Sequence, residues 1–267
     1  MAYNIFMPIG LIGGSGLYDI EGLAIREEIS LSTPYGAPSS TYKLGDFDGT
    51  ELVFLARHGV LHLIPPHKVN YRANMWGFKS LGVEKIISIG AVGGINSGMQ
   101  PGAIVILDQI IDMTMGARAA TFYDEEKVVH VDFTYPYCAE VREIFIQAAG
   151  RISLPVKKSG TYICVNGPRL ETEKEIQFFS SIGADVVGMT AMPEAALARE
   201  LEICCAGIAV VTNYAAGLAG ARLTTTEVVE AMRNSFDAIR ALLKAAVPQM
   251  AAHRSCACKD ALKDAEI

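Results

Sequence analysis

A glycine-rich segment near the start of the chain has the residue types of an anion site. A Gly-Gly-Ser-Gly run at 13–16 follows an apolar stretch, and there backbone N–H groups and the Ser15 hydroxyl can approach an anion closely. The run departs from the dinucleotide-binding fingerprint, and the sequence contains no G-x-x-x-x-G-K-[ST] motif. A simple tight turn is the alternative, so the run alone is weak support for a site.

A second segment, Arg57-His58-Gly59, is more specific. It follows another apolar stretch, and an arginine that leaves a buried strand needs a negative partner. The planar guanidinium binds two phosphate oxygens at once. His62 and His67 follow, but no carboxylate or cysteine accompanies these histidines, so a metal site and an ordinary surface loop are weaker hypotheses. We predict a phosphate or substrate contact here.

Four further apolar stretches also end in glycine, hydroxyl, arginine or amide groups. Ligands of open α/β folds bind beyond the carboxyl ends of strands, so these groups together predict one pocket for an anion and a polar heterocycle. The amide of Asn213 offers a donor and an acceptor to an edge that carries C=O beside N–H. A local ion pair between Arg169 and Glu171 is the alternative for one stretch. The groups are Ala91 with Gly93 and Gly94, Arg169 with Glu171, Met189 with Thr190 before Pro193-Glu194, and Thr212 with Asn213.

The elements that must position these residues alternate along the chain. Near-continuous apolar runs, typical of strands buried on both faces, occupy 9–12, 52–55, 85–89, 103–107, 162–165, 186–187 and 203–211. Helical patterns occupy 68–81, 139–149, 171–182, 193–201 and 226–247. The alternation predicts a single three-layer α/β domain over 1–250, followed by a polar C-terminal tail over 251–267 that contains a C-x-C pair.

Composition excludes several classes of protein. With 51% hydrophobic and 19% charged residues the chain is not a disordered one, and a net charge of −6 argues against a nucleic-acid partner. Polar residues and glycines interrupt each long uncharged stretch, so no membrane span or signal peptide is predicted. We expect a soluble, cytoplasmic protein with no membrane partner.

The six cysteines are too few for a secreted disulfide scaffold. Those at 138, 164, 204 and 205 lie among apolar neighbours and are expected in the core. Cys256 and Cys258 are expected as free thiols of a frayed terminus; a bond between them, a metal contact, or docking that aids thermal stability are the alternatives. Because no His/Cys set at zinc spacing accompanies the pair, no metal site is predicted.

Six motifs in a fixed order carry a family resemblance. They are Gly13-Gly14-Ser15-Gly16-Leu17, Thr33-Pro34-Tyr35-Gly36, Arg57-His58-Gly59, Asn70-Tyr71-Arg72-Ala73-Asn74, Gly167-Pro168-Arg169, and Gly188-Met189-Thr190 with Pro193-Glu194. With them the sequence resembles the methylthioadenosine phosphorylase branch of the trimeric purine nucleoside phosphorylases from about residue 9 to residue 248. The resemblance implies a mixed, partly barrel-like central sheet flanked by helices, and a homotrimer or a homohexamer built as a dimer of trimers. It also implies a pentosyltransferase of purine salvage that uses inorganic phosphate as co-substrate and no cofactor.

The resemblance also assigns residues. It implies phosphate contacts from Ser15, Arg57, His58, Ala91 and Thr190, and substrate contacts from Leu170, Met189, Asn213 and Ala215. Many family members carry threonine where this chain has Gly90, which removes one hydroxyl from the phosphate site. His130 falls where the family places a histidine that reaches over the 5′ end of the sugar in a neighbouring subunit.

The sequence departs from the family resemblance at the residues expected to contact the purine base. Relatives specific for adenine nucleosides resemble Thr-Asp-Tyr-Asp where this chain has Thr212-Asn213-Tyr214-Ala215. An amide donates to O6 and accepts from a protonated N7, so we predict phosphorolysis of 6-oxopurine nucleosides (inosine, guanosine or methylthioinosine) with Asn213 as the catalytic residue. The sequence around 188–201 resembles methylthioinosine phosphorylases in particular. The alternatives are a methylthioadenosine phosphorylase acting on 6-aminopurines, a nucleoside-binding protein without catalysis, and a hydrolase that uses water.

Overall fold

Strand β5 (Lys85–Gly94) organises the sheet, because two different strands share one of its edges. The computed structural model describes residues 7–14, 17, 22–125, 127–218, 225–251 and 254–267. In it, β1 (Ile9–Gly13) pairs parallel with the first half of β5, and β9 (Val186–Gly188) pairs antiparallel with its last two residues. The long strand β10 (Cys204–Tyr214) pairs along the other edge. On the edge of β5 that β1 and β9 share, no described strand pairs with the residues between them. The sheet therefore splits at this point.

The remaining strands extend the two halves of this mixed, ten-stranded sheet. Beyond β1, the parallel strand β4 (Thr50–Ala56) leads to the antiparallel pair β3 (Tyr42–Phe47) and β2 (Leu23–Ile29). Beyond β9, strands β8 (Thr161–Val165) and β7 (Gln109–Met113) continue in parallel, and the short β6 (Ile104–Ile106) lies antiparallel to β10. The split therefore separates the strands that continue from β1 from those that continue from β9.

Helices cover both faces, which confirms the predicted three-layer α/β domain. One face packs against α2 (Ala139–Arg151) and α5 (Thr225–Met250), and the other against α1 (Tyr71–Ser80) and α4 (Ala191–Glu200). Alternate residues of β5 enter the two cores, as the pleat of a strand requires: Ile87 and Ile89 lie in the first, Ile86 and Val92 in the second. Each such buried side chain contributes about 1.5–3 kcal/mol relative to exposure. Helix α3 (Glu173–Ser181) packs on a smaller cluster around Ala215.

All seven predicted strands and all five predicted helices are confirmed as elements. Strands β2, β3 and β7 are additional. Strand β2 is exposed along most of its length and carries charged residues, so it has no apolar run to detect. The helix starts have local causes: the Asn70 side chain accepts the N–H of Ala73 at 3.1 Å, and Thr172 and Glu175 form a capping box before α3.

The tail is ordered against the body of the protein, so the expectation of a frayed terminus is wrong for residues 254–267. A short 3₁₀ helix spans Ala257–Asp260, and the backbone N–H of Ile267 donates to the carbonyl of Val128 at 3.1 Å. No disulfide joins Cys256 or Cys258 to another of the described cysteines. None of the described helices has both the length and the apolar character needed to cross a bilayer.

Candidate active site

A cavity of about 650 Å³ opens where the sheet splits. Its floor is formed by residues 90–93 of β5, and its walls come from the ends of β9 and β10 and from the loop after β4. The predicted site residues that line it are Arg57, His58, Ala91, Leu170, Met189, Thr190 and Asn213. The fold thus brings together seven predicted residues from five separate parts of the sequence. Ser15 lies outside the described residues.

The first end of the cavity, which we call the arginine end, contains Arg57, His58 and Thr190. The Arg57 side chain is only 1% exposed and is paired with Glu194, itself 2% exposed, through Nε–Oε1 and Nη2–Oε2 contacts of 2.5 and 3.0 Å. Burial alone would lower the pKa of Arg57, but this ion pair raises it. The negative partner expected for the arginine is therefore part of the protein itself.

The remaining donors of Arg57 are also oriented by the sheet. Nη2 donates to Ser88 Oγ at 2.9 Å, and Nη1 donates to the carbonyl of Ile89 at 3.0 Å, beside the split. Ser88 Oγ in turn donates to Glu194 at 2.7 Å. Since a guanidinium has five N–H groups, the described contacts leave one, on Nη1, for a ligand. Breaking a buried pair of this kind by removing one partner costs about 3–5 kcal/mol.

His58 is held in one neutral form. Its Nδ1 lies 2.8 Å from the carbonyl of Ile64, and because a carbonyl only accepts, Nδ1 carries the proton. Burial and the adjacent Arg57 charge lower the pKa of His58 to about 4. At neutral pH its Nε2 is therefore a hydrogen-bond acceptor, which suits an oxyanion that still carries a hydroxyl proton.

Thr190 is placed by a close backbone approach. Its N–H donates to the hydroxyl of Tyr162 at 3.1 Å, and this needs a glycine at 188, where an added Cβ would lie 2.1 Å from the same hydroxyl. Gly90, in contrast to Gly188, has open space beside its Cα atom. A Cβ built there would meet nothing closer than Thr190 Oγ1, at 3.7 Å, so the missing threonine of the family resemblance leaves open space in the cavity.

The second end, which we call the asparagine end, contains Glu171, Thr212 and Asn213. Asn213 Oδ1 accepts from Thr212 Oγ1 at 2.8 Å, and Nδ2 donates to the carbonyl of Tyr214 at 2.8 Å. The second contact identifies the nitrogen, because a backbone carbonyl only accepts, and each amide atom keeps capacity for one more bond. Asn213 lies beside Gly93 in the β5–β10 register, four residues beyond Ile89, so roughly 13 Å separates the two ends.

The sequence predicts Arg169 and Glu171 as pocket groups, with an ion pair between them as the alternative. Arg169 instead pairs with Glu175, at 2.7 Å, and Glu171 lines the cavity. Helix α3 packs on Ala215, and Gly217 lies against Glu173, which places Glu171 beside the end of β10. Burial raises the pKa of this carboxyl.

Two predicted substrate residues lie away from the cavity of this chain. Ala215 is buried among Ile95, Ile163 and Val187 and is absent from the described cavity lining. His130 is exposed on the surface, where its backbone N–H donates to the carbonyl of Ala265 at 2.8 Å. Its assignment to a neighbouring subunit stays a prediction.

Arg118 is a residue that the sequence analysis missed. Its guanidinium donates to the carbonyls of Met189, Met192 and Asn166 at 2.7, 2.6 and 2.9 Å, and lies 5.1 Å from the ring centroid of Tyr71. It therefore holds the turn before α4 against the end of β8. No motif surrounds it, and a lone arginine in a loop is ordinarily a surface residue.

Comparison with known proteins places this geometry in a family. The model of the phosphorylase superfamily matches residues 8–248. The chain belongs to the phosphorylase superfamily. Within it, the chain is 54% identical to a probable S-methyl-5′-thioinosine phosphorylase of Thermodesulfovibrio yellowstonii, over 97% of each chain. It is 52% identical to a 6-oxopurine nucleoside phosphorylase of Pyrococcus furiosus, over 97% of this chain and 99% of that one.

Solved structures support the same placement of this phosphorylase-superfamily chain. Methylthioadenosine phosphorylase from Schistosoma mansoni, in complex with adenine, matches with a TM-score of 0.91 at 34% identity, over 97% of this chain and 96% of that one. The resemblance found from the six motifs and the fold class predicted with it are thereby confirmed.

Proposed function

We propose that the protein cleaves the N-glycosidic bond of 6-oxopurine nucleosides with phosphate, releasing the free base and ribose 1-phosphate or methylthioribose 1-phosphate. The observation that carries this proposal is the asparagine end, where an amide oriented by a backbone carbonyl and a carboxyl line one cavity. The names of the most similar relatives reported above support it. The proposed reaction uses inorganic phosphate as co-substrate and no cofactor.

Base selection follows from the hydrogen-bonding pattern of the purine edge. Asn213 Nδ2 donates to O6 and Oδ1 accepts from N7 once that nitrogen is protonated, while the ionised Glu171 accepts N1–H. Adenine reverses two of these positions, because its exocyclic amine is a donor and its N1 is an unprotonated acceptor. Each polar group left unpaired costs about 1–3 kcal/mol, so the site disfavours 6-aminopurines.

The arginine end supplies the nucleophile. Arg57 Nη1 and the Thr190 hydroxyl donate to phosphate oxygens, and Ser15 is expected to contribute its hydroxyl. His58 Nε2 accepts from the phosphate hydroxyl, so the anion binds with a proton. Because the Arg57–Glu194 pair is neutral overall, directed donors bind the phosphate, in place of a field of net positive charge.

The chemical step joins the two ends. The bond between C1′ and the base nitrogen breaks first, its electron pair moves into the purine, and the sugar gains oxocarbenium character. A phosphate oxygen then forms the new bond to C1′ from the opposite face, with inversion at that carbon. The phosphate proton balances the reaction by passing to the purine. Asn213 stabilises the charge on N7 and O6, and the protein holds nucleophile and carbon in line.

The neighbouring subunit enters this proposal through His130. We expect a homotrimer, or a dimer of trimers, in which this exposed histidine reaches the 5′ end of a neighbour's substrate.

Apolar side chains of Leu63, Val228 and Val229 line part of the cavity wall, which favours a methylthio group over a hydroxyl at the 5′ position.

The deciding experiment is a product assay with methylthioinosine, inosine, guanosine and methylthioadenosine, each with and without phosphate. We expect phosphate-dependent release of hypoxanthine or guanine, with methylthioadenosine the poor substrate. Preference for methylthioadenosine would establish the 6-aminopurine alternative. Release without phosphate would indicate a hydrolase, and tight binding without turnover a nucleoside-binding protein.

A further inference from the structure

Four cysteines from three distant parts of the chain meet in one cluster. The Sγ atoms of Cys138, Cys204, Cys256 and Cys258 all lie within 4.8 Å of one another, and those of Cys204 and Cys256 are 3.2 Å apart. Three of the side chains are buried and Cys256 is half-buried. Sequence spacing gave no metal site because two ligands come from the body and two from the tail. In the folded chain the four sulfurs lie together despite that spacing.

The cluster joins the C-terminal tail to the starts of α2 and β10. Cys138 precedes the first turn of α2, and its N–H donates to the carbonyl of Cys205 at 2.8 Å. Cys204 begins β10. Glu140 accepts the N–H groups of Ser255 and Cys256, both at 3.0 Å, and so orients the tail toward the cluster.

The mutual distances are close to those of a tetrahedral metal centre, with one at 3.2 Å and all within 4.8 Å. Zn–S bonds of about 2.3 Å require all six S···S separations of a Cys₄ site to be about 3.8 Å, so every sulfur must be near every other. A disulfide brings only its own two sulfurs together, to about 2.05 Å. Here the observed proximity is shared by all four. Small adjustments of side-chain torsions would bring each sulfur to bonding distance from a common centre.

We infer that Cys138, Cys204, Cys256 and Cys258 form a structural tetrathiolate site for a thiophilic divalent cation, with Zn²⁺ the ion that prefers this ligand set and geometry. Four protein ligands leave no open position for a reactant, so the site has no role in chemistry. Four thiolates around a divalent ion carry excess negative charge, and Arg199 Nη1, 3.8 Å from Cys258 Sγ, is placed to donate to it.

The consequence is a tail fixed to the start of β10. Asn213 lies at the other end of that strand, nine residues away, or roughly 30 Å. The ion therefore stabilises the folded state and leaves phosphorolysis nearly unchanged. This separation distinguishes the inference from the proposed function, since either can fail without the other.

Metal analysis of the full-length protein tests the inference. The chain is produced in zinc-supplemented medium, purified without chelator, and its metal content measured by inductively coupled plasma mass spectrometry. We expect one Zn²⁺ per chain in the native protein and in Cys205→Ala, a buried cysteine that packs in the opposite core. We expect loss of the ion in Cys256→Ser and Cys258→Ser. Co²⁺ in its place should give the charge-transfer and visible bands of a tetrahedral thiolate site.

Thiol counting separates the ion from disulfides. Denatured in chelator without reductant, the native protein should show six free thiols, the number in the sequence. Chelator should lower the melting temperature of the native protein and leave that of the Cys256→Ser, Cys258→Ser double variant unchanged. Two or four missing thiols together with no bound metal would overturn the inference. So would six free thiols in a protein that binds neither Zn²⁺ nor Co²⁺.

Discussion

The two ends of the cavity are built on different physical principles. At the arginine end, a fully buried cation is matched by a buried carboxylate and by backbone and serine contacts, so its geometry is determined by the protein before any ligand arrives. At the asparagine end, Asn213 and Glu171 are half-buried at the ends of elements, and the Asn213 amide is oriented by two hydrogen bonds. The first arrangement tolerates little change. The second can be altered by one side chain, which makes it the place where substrate preference is set.

The largest effect is expected from removing the counter-ion of the arginine end. Glu194→Gln leaves Arg57 buried with an unmatched charge, so the free energy of unfolding should fall by about 3–5 kcal/mol. Misplacement of the phosphate donors should lower kcat/KM by roughly 10²–10³. Denaturant titration and phosphorolysis assays measure the two quantities.

Glu200→Gln is the matched control for that substitution. Glu200 lies on the same helix and is 5% exposed, but it is bonded to the N–H of Phe122, at 2.7 Å, and to the Thr121 side chain. An amide oxygen can accept such bonds as well. Equal losses in the two variants would show that burial of a carboxylate, and not its pairing with Arg57, is what matters.

A smaller and selective effect is expected at the asparagine end. Asn213→Asp replaces the donor to O6 by an acceptor for an exocyclic amine, so the kcat/KM ratio of methylthioinosine to methylthioadenosine should shift toward the amine by roughly 10- to 100-fold. Stability should change little, because the side chain is half-buried. Asn166→Asp, outside the described cavity lining, should leave the ratio unchanged. Unaltered selectivity in Asn213→Asp would refute the assignment of the base site.

Acidity should modulate the same preference. Burial raises the pKa of Glu171, and only its ionised form accepts N1–H. Preference for 6-oxopurines should therefore be full above that pKa and decline by a few-fold as the pH falls through it. Because burial places that pKa above the usual value of about 4.3, the ratio of the two substrates should be measured from about pH 5 to about pH 8. Glu171→Gln should abolish the dependence, whereas Glu173→Gln, on the exposed start of α3, should retain it.

The smallest effect is a gain at the arginine end. Gly90→Ser places a hydroxyl in open space near Thr190, so KM for phosphate should fall by roughly 3-fold, the value of one modest hydrogen bond, at unchanged melting temperature. Gly188→Ala is the contrasting variant, since its Cβ would lie 2.1 Å from the Tyr162 hydroxyl and must displace it. If Gly90→Ser destabilises the protein as Gly188→Ala does, the arginine end has no spare room.

The sequence predicted what local patterns encode. Strands β5 and β10 were found because long apolar runs are buried on both faces, and Asn213 because it ends the second run. Strand β2 was missed because exposed strands lack that signal. Pairings across the chain were also missed: Glu194 lies 137 residues from Arg57, and the cysteine cluster unites positions 138 to 258. Such partners are defined only by the fold, which no spacing rule within one segment contains.

The split at β5 has a consequence for the order in which the protein matures. Both neighbours on that edge must be in place before the cavity has walls, yet β1 comes from the first residues and β9 from about a hundred residues beyond β5. Contacts so distant in sequence close slowly. During synthesis on the ribosome, the N-terminal half can assemble β1, β4 and β5 early, but nucleoside binding must wait until β10 and α5 have emerged. A chain released before that point would have a partly formed sheet with exposed edges, so we expect premature termination to yield an inactive, aggregation-prone fragment.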